Sequence, residues 1–265
     1  MLITSKDNNE IKRIKKLYEK KFRDQEGLFI IDGIKIIKEA IEEKQVINKI
    51  VICKELLEKN SQLIDKDFYL NIEKYDVIEV SESVFKSISE MQNPQGIIAI
   101  IKKDDKEDNI DYSNDLFLAL DNIQDPGNIG TIIRTADSCN IKQIICSKET
   151  VDCYNSKVIR ATMGAIFRVK IKYVNDLKQA LKTFKSNKVK VLVTDLNKAK
   201  SIYEEDLRKS IIVIGNEANG VSKEILEIAD GTIKIPMEGK TESLNAAVAT
   251  GIIIYEAKRQ LKFNK

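Results

Sequence analysis

The sequence predicts an α/β protein: a mostly parallel sheet in the C-terminal part, preceded by a smaller α/β domain. Three observations carry this reading. From Leu116 onward, strand-like apolar runs alternate with helix-like segments. Several of those runs are apolar at every position, as in Ile211-Ile212-Val213-Ile214, the pattern of a parallel strand covered on both faces. A charged stretch from Lys102 to Asp111, with no large apolar residue before Ile110, has no period of its own and reads as a linker. The expected division is a front domain at 1–101, a linker at 102–114 and a second domain at 115–265, within the size that 265 residues allow.

In the front part, Ile11, Ile14, Leu17 and Tyr18 recur at helical spacing between Lys and Arg residues and predict one amphipathic helix over 5–22. Glu26-Gly27 turns the chain into a strand at Leu28–Ile31, and Gly33 leads into a helix through Ile41. Further strands are expected at Val46–Cys53, Val77–Val80 and Gly96–Ile101, with helices near 54–60 and 82–90. Asn93-Pro94-Gln95-Gly96 reads as the turn that launches the last strand.

In the second part, strands are expected at Leu116–Leu120, Gln143–Cys146, Val169–Tyr173, Val189–Thr194, Ile211–Gly215 and Thr232–Ile235. Helices are expected at 128–140, 154–164, 176–186, 222–229 and 243–261. Ligands of such sheets sit outside the carboxyl ends of the strands, and three strand-end loops stand out. Asp121–Gly130 contains an Asp-Pro-Gly-Asn turn and feeds a helix whose buried stripe is Ile129, Ile132, Ile133, Ala136 and Cys139, leaving Arg134 on the outer face. Gly215–Gly220 has two glycines that let backbone approach a ligand, but it matches neither a dinucleotide nor a P-loop signature. Glu217 in it caps the next helix, faces a ligand or positions a catalytic group. The third loop, Ile235–Asn245, precedes the last helix, with Ser243 as the expected N-cap and Asn245 in the first turn. Of three prolines in the chain, Pro126 and Pro236 fall in these loops.

Composition excludes several chemistries. The chain has no histidine, so Ser-His-Asp, Cys-His and histidine-base mechanisms are ruled out. The four cysteines form no C-x-x-C pair. They read as buried reduced thiols, with no metal site expected. No run of 18 residues is continuously apolar, so no membrane span is expected. The first residues have no secretory h-region, and a cytoplasmic location is expected. Net charge is only +3, but Met1–Arg23 carries eight Lys/Arg against three acids. Such a cluster binds phosphate through counterion release or is simply a solvated helix face.

Four segments together resemble the motifs of the SpoU-type (TrmH-like) RNA 2′-O-ribose methyltransferases of the SPOUT superfamily. They are Asn122–Ala136, Lys157–Ala165, Ile214–Val221, and Ile235–Gly239 with Ser243-Leu244-Asn245. The resemblance covers essentially all of 116–261, and residues 1–101 look like the RNA-binding domain often fused in front. It implies a SPOUT domain with a deep trefoil knot, which sequence physics alone would not suggest, a homodimer, and S-adenosylmethionine as cofactor. By position, Gly215, Ile235, Met237 and Leu244 are the expected cofactor contacts. Arg134, Asn128, Glu217, Ser243 and Asn245 are the expected catalytic residues. Lys6, Lys12 and Arg23 of the basic cluster, with Arg160 in the second segment, are the candidate RNA contacts.

The implied reaction is methyl transfer to a ribose 2′-hydroxyl of RNA, with ribosomal RNA favoured by the large front domain and its Lys-rich start. Transfer RNA is the alternative substrate. A catalytically silent RNA-binding assembly factor is the alternative of another class. Three departures from the family pattern stand outside the proposed chemistry: Asn140 where a glycine often ends the helix, Asp152-Cys153 for Asp-Pro, and no histidine before Gln95-Gly96.

Overall fold

The computed structural model describes residues 2–64, 66–103, 109–196 and 199–263. The expected linker therefore lies partly outside the described residues, at 104–108. The chain forms two compact units, Met1–Lys106 with Tyr154–Phe167, and Glu107–Cys153 with Arg168–Lys265.

The first unit contains β1 (Leu2–Ile3), α1 (Asn9–Lys16), α2 (Lys20–Glu26), β2 (Leu28–Asp32), α3 (Ile34–Glu42), β3 (Ile47–Ile52), α4 (Lys54–Lys59), α5 (Lys66–Ile72), β4 (Val77–Val80), α6 (Glu82–Ile88) and β5 (Ile97–Lys102). Its sheet runs β1-β4-β3-β5-β2, with β5 antiparallel to both β2 and β3. Strand side chains alternate between two cores, as period-two geometry requires. Leu28 and Ile30 join Ile11, Ile14 and Phe85 on one face. Phe29 and Ile31 join Ile34, Ile37 and Phe68 on the other.

The returning segment adds a helix over Ser156–Thr162, with Ile159 in the second of these cores and the Tyr154 ring 4.6 Å from that of Phe29. The sequence places this helix at 154–164, within residues 115–265. Its spacing gives no sign of which core it joins.

The single helix expected at 5–22 is two helices, broken at Leu17–Glu19. Apolar spacing carries on across the break, so periodicity alone does not reveal it. Arg23 explains how the break is stabilised. It is 3% exposed and its Nη1 donates to the carbonyls of Leu17 at 3.0 Å and Tyr18 at 2.6 Å, satisfying carbonyls of the break itself, where helical hydrogen bonding lapses. The expectation that Arg23 contacts RNA is corrected accordingly: its guanidinium is an internal brace.

Asp32, at the end of β2, accepts a hydrogen bond from Ser89 Oγ at 2.5 Å, while its Oδ1 is buried without a partner among the described residues. Burial pushes its carboxyl up to about 6, and Glu90 adds to the rise; the Ser89 hydrogen bond and Arg160 oppose it. Between about pH 4 and pH 6 the folded chain therefore keeps a proton that the unfolded chain has lost. Raising the pH through that window favours unfolding, by up to about 3 kcal/mol. Asp32→Asn should remove this slope, so thermal melts should show the variant gaining on wild type from pH 4 to pH 7. An equal difference at both pH values would contradict the assignment.

The second unit contains β6 (Leu116–Leu120), α7 (Pro126–Ser138) and β7 (Gln143–Ser147). After α8, the Ser156–Thr162 helix of the first unit, come β8 (Lys170–Val174), α9 (Leu177–Ser186), β9 (Lys190–Thr194), β10 (Lys200–Ser201), β11 (Ser210–Ile214), α10 (Lys223–Leu226), β12 (Gly231–Lys234) and α11 (Ala246–Phe263). Its seven strands run β10-β12-β9-β11-β6-β7-β8, every pairing parallel. The strands β6, β7 and β11 are buried at every position. One core on this sheet gathers Phe117, Leu181, Phe184, Val191, Ile211 and Val213. In register, Ile214 lies opposite Leu120, Val213 opposite Val193, and Ile233 opposite Thr194. The carboxyl ends of β6, β11 and β12 are thus close to level, and their three loops leave from one edge of the sheet.

Candidate active site

The first loop is held from both ends. Asn122 takes a left-handed conformation, φ 58°, which asparagine tolerates, and its N–H donates to Ser147 Oγ at 2.9 Å. Asp125 caps α7 by accepting from Asn128 N–H at 2.8 Å, with Pro126 at the first helical position. The helix starts two residues earlier than expected, so Asn128 lies in its first turn with its backbone satisfied. Its side chain is left to reach across.

The second loop doubles back on itself. Asn216 and Gly220 exchange two backbone hydrogen bonds, at 3.0 and 2.9 Å. Asn216 Nδ2 donates to the Asn122 carbonyl at 2.8 Å, and its Oδ1 accepts from Ala218 and Asn219 N–H. Ser222 N–H donates to Asp121 Oδ2 at 2.8 Å. Glu217 does not cap the next helix, which begins at Lys223 after Ser222; it faces the first loop.

The third loop ends in a correction. Asn245, and not Ser243, caps α11: its Oδ1 accepts from Ala247 N–H at 2.9 Å and Val248 N–H at 3.2 Å. The cap must sit two and three residues before the orphan donors, and a helix beginning at Ala246 leaves Ser243 too far back. Ser243 is exposed in the loop.

The three loops meet in one directed chain of hydrogen bonds. Asn245 Nδ2 donates to Asn128 Oδ1 at 2.8 Å. Asn128 Nδ2 donates to Glu217 Oε1 at 2.8 Å. Both ends fix its direction. The capping role of Asn245 turns its oxygen to the helix, and the carboxylate of Glu217 can only accept when ionised. Among the described residues Glu217 Oε2 has only a long 3.5 Å contact, from Gln124 N–H, and so keeps acceptor capacity. Arg134 lies less than two turns beyond Asn128 on α7. It is exposed and has no acidic partner among the described residues.

The arrangement offers a free guanidinium, a carboxylate and two oriented amides at the carboxyl edge of a parallel sheet. It suits alignment of a polar, anionic ligand more than nucleophilic attack by the protein. Beside it, residues 236–244 make no backbone–backbone hydrogen bond among the described residues, and Met237 and Leu244 are exposed at 37% and 36%. Backbone polar groups and apolar side chains are thus both available there. This fits S-adenosylmethionine, which carries an adenine, hydroxyls and an amino-acid end. Gly215 is buried where the loop closes, with no room for a side chain.

Of the expected RNA contacts, Lys6 is exposed, Lys12 is exposed and paired with Asp7 at 3.0 Å, and Arg160 stands 4.0 Å from Glu90. Asn122 and Asn216 do not stand out in the sequence. Nothing in the local pattern separates an asparagine that ties two loops from one in a solvated turn.

Residues 115–255 match the SpoU rRNA Methylase family and residues 8–99 the MRM3-like substrate binding domain. The chain is 32% identical over 257 residues to the 23S rRNA (guanosine(2553)-2'-O)-methyltransferase RlmP of Bacillus subtilis, covering 97% of this chain and 98% of that one. Among solved structures it is similar to the AdoMet-bound rRNA methyltransferase from Sinorhizobium meliloti (TM-score 0.80, 30% identity, 98% of both chains). It is also similar to a TrmH-family protein from Porphyromonas gingivalis (TM-score 0.83, 29% identity, 96% of this chain and 98% of that one covered).

Proposed function

The chain belongs to the SpoU rRNA methylase family, and we propose that it transfers a methyl group from S-adenosylmethionine to a ribose 2′-hydroxyl of ribosomal RNA. The observation that carries this reading is the Asn245–Asn128–Glu217 chain, which joins all three strand-end loops at the start of the helix that carries Arg134. A match to a substrate-binding domain over 8–99 and a full-length relative named for 23S rRNA support ribosomal over transfer RNA.

When bound, S-adenosylmethionine supplies a methyl group already activated on sulfonium sulfur. Gly215, Ile235, Met237 and Leu244 are the residues that would hold it. The protein's task is to align the ribose oxygen and to accommodate the charge and proton it sheds. A guanidinium such as that of Arg134 is a poor base. It binds phosphate and stabilises the developing alkoxide. Asn128, held between Asn245 and Glu217, orients the ribose, and Ser243 contributes a hydroxyl from the third loop. Glu217 Oε2 is the open carboxylate atom that can accept the proton. Lys6, Lys12 and Arg160 bind RNA phosphates. A homodimer, a knotted second unit and a cytoplasmic site of action complete the proposal; light scattering tests the first.

Purified protein should incorporate labelled methyl from S-adenosylmethionine into 23S rRNA, and mapping of 2′-O-methyl sites should locate one nucleotide. Incorporation into transfer RNA alone would replace the substrate. S-adenosylmethionine binding without transfer to any RNA would favour a silent assembly factor.

A further inference from the structure

We propose that Asn216 is a positioning residue, one that keeps the Glu217 carboxylate in register with Asn128 by tying the second loop to the first. The inference deepens the methyl-transfer reading and rests on it.

Asn216 immediately precedes Glu217, and each polar atom of its side chain has a different task. Oδ1 accepts from Ala218 N–H at 3.0 Å and Asn219 N–H at 3.1 Å, organising its own loop. Nδ2 leaves that loop and donates to the Asn122 carbonyl at 2.8 Å. Asn122 is itself anchored, through the Ser147 hydroxyl. A further tie between these loops, Ser222 N–H to Asp121 Oδ2, sits at the far end of the second loop, five residues beyond Glu217. Without Asn216 Nδ2, the end of the loop that carries Glu217 is held to the first loop, apart from the bond to Asn128, through the long 3.5 Å contact from Gln124 N–H to Glu217 Oε2. Its 2.8 Å bond to Asn128 then depends on the exposed loop alone. Alignment of reacting groups is sensitive at this scale: a displacement of about 1 Å can cost about a hundredfold in rate.

The two tasks can be separated. Asn216→Asp keeps the acceptor that organises the loop but loses the donor, and turns an oxygen toward the Asn122 carbonyl. The expected result is a kcat for methyl transfer at least about tenfold lower, with KM for RNA and the Kd for S-adenosylmethionine each within about threefold of wild type. Combined with Glu217→Gln, it should add little to the loss from Glu217→Gln alone, because both act through one carboxylate. A kcat within twofold of wild type, or fully multiplicative losses in the double variant, would overturn the inference. If Asn216→Asp melts more than about 5 °C below wild type, Asn216→Ser, too short to reach Asn122, is judged by the same criteria. An inactive wild-type protein would instead sink the methyl-transfer reading, so the two failures are distinct.

Discussion

Arg134→Ala should lower kcat/KM for methyl transfer by about a thousandfold, the upper range for removing a preorganised charge-stabilising donor. The loss should fall on chemistry and RNA, not on the fold. Arg134 is exposed, has no acidic partner among the described residues, and lies on a helix capped and packed through other residues. The variant should therefore melt within about 2 °C of wild type, since surface substitutions away from special contacts change stability little. Titration calorimetry should give an unchanged affinity for S-adenosylmethionine. Arg134→Lys separates two roles. If Arg134 supplies only a point charge, lysine restores most of the rate. The planar fork is needed when it grips phosphate and developing alkoxide together, and lysine then recovers little. Labelled-methyl incorporation into rRNA reads both variants. An Arg134→Ala enzyme within threefold of wild type would remove this residue from the mechanism.

What the sequence discloses divides along physical lines. Strands buried on both faces declare themselves, because every position is apolar whatever the neighbours are. The expected and observed bounds of Leu116–Leu120 agree to the residue. Two-residue strands such as Leu2–Ile3 and Lys200–Ser201, and the short helix Lys66–Ile72, carry too little pattern to be seen. The break between α1 and α2 escapes because its determinant is a buried guanidinium, and Arg23 in a run of lysines looks like one more surface charge. The same limit applies at the site. The loops are legible from their glycines, prolines and position after strands. Their joining is not. Asn128 and Glu217 are 89 residues apart, and Asn128 and Asn245 are 117 apart. A hydrogen bond across such a separation leaves no local signature. Asn245 illustrates the cost. Its cap and its link to Asn128 compete for the same residue in any sequence reading, and only the geometry lets the amide oxygen serve one and the nitrogen the other.

Gly215→Ala should be the most damaging single methyl group in the second unit. A Cβ built there lies 2.2 Å from the Gly220 carbonyl carbon, 2.3 Å from Val221 N and 2.5 Å from Gly220 O. All three are backbone atoms, so no side chain can swing away. The loop must open instead, straining the paired Asn216–Gly220 hydrogen bonds and drawing Glu217 off Asn128. Overpacking of this kind costs about 3 kcal/mol, and affinity for S-adenosylmethionine should fall by at least about tenfold, since that is about 1.4 kcal/mol of the same distortion felt at the cofactor contact. Two neighbouring glycines calibrate the effect. Gly239→Ala meets nothing within 4 Å and should melt and bind as wild type does. Gly220→Ala also meets nothing, but Gly220 holds φ +68°, so its cost is conformational, about 1 kcal/mol. The expected order of loss in thermal melts and calorimetry is thus Gly215, then Gly220, then Gly239. If Gly215→Ala behaved like Gly239→Ala in both, neither the tight closure of this loop nor its part in holding the cofactor could stand.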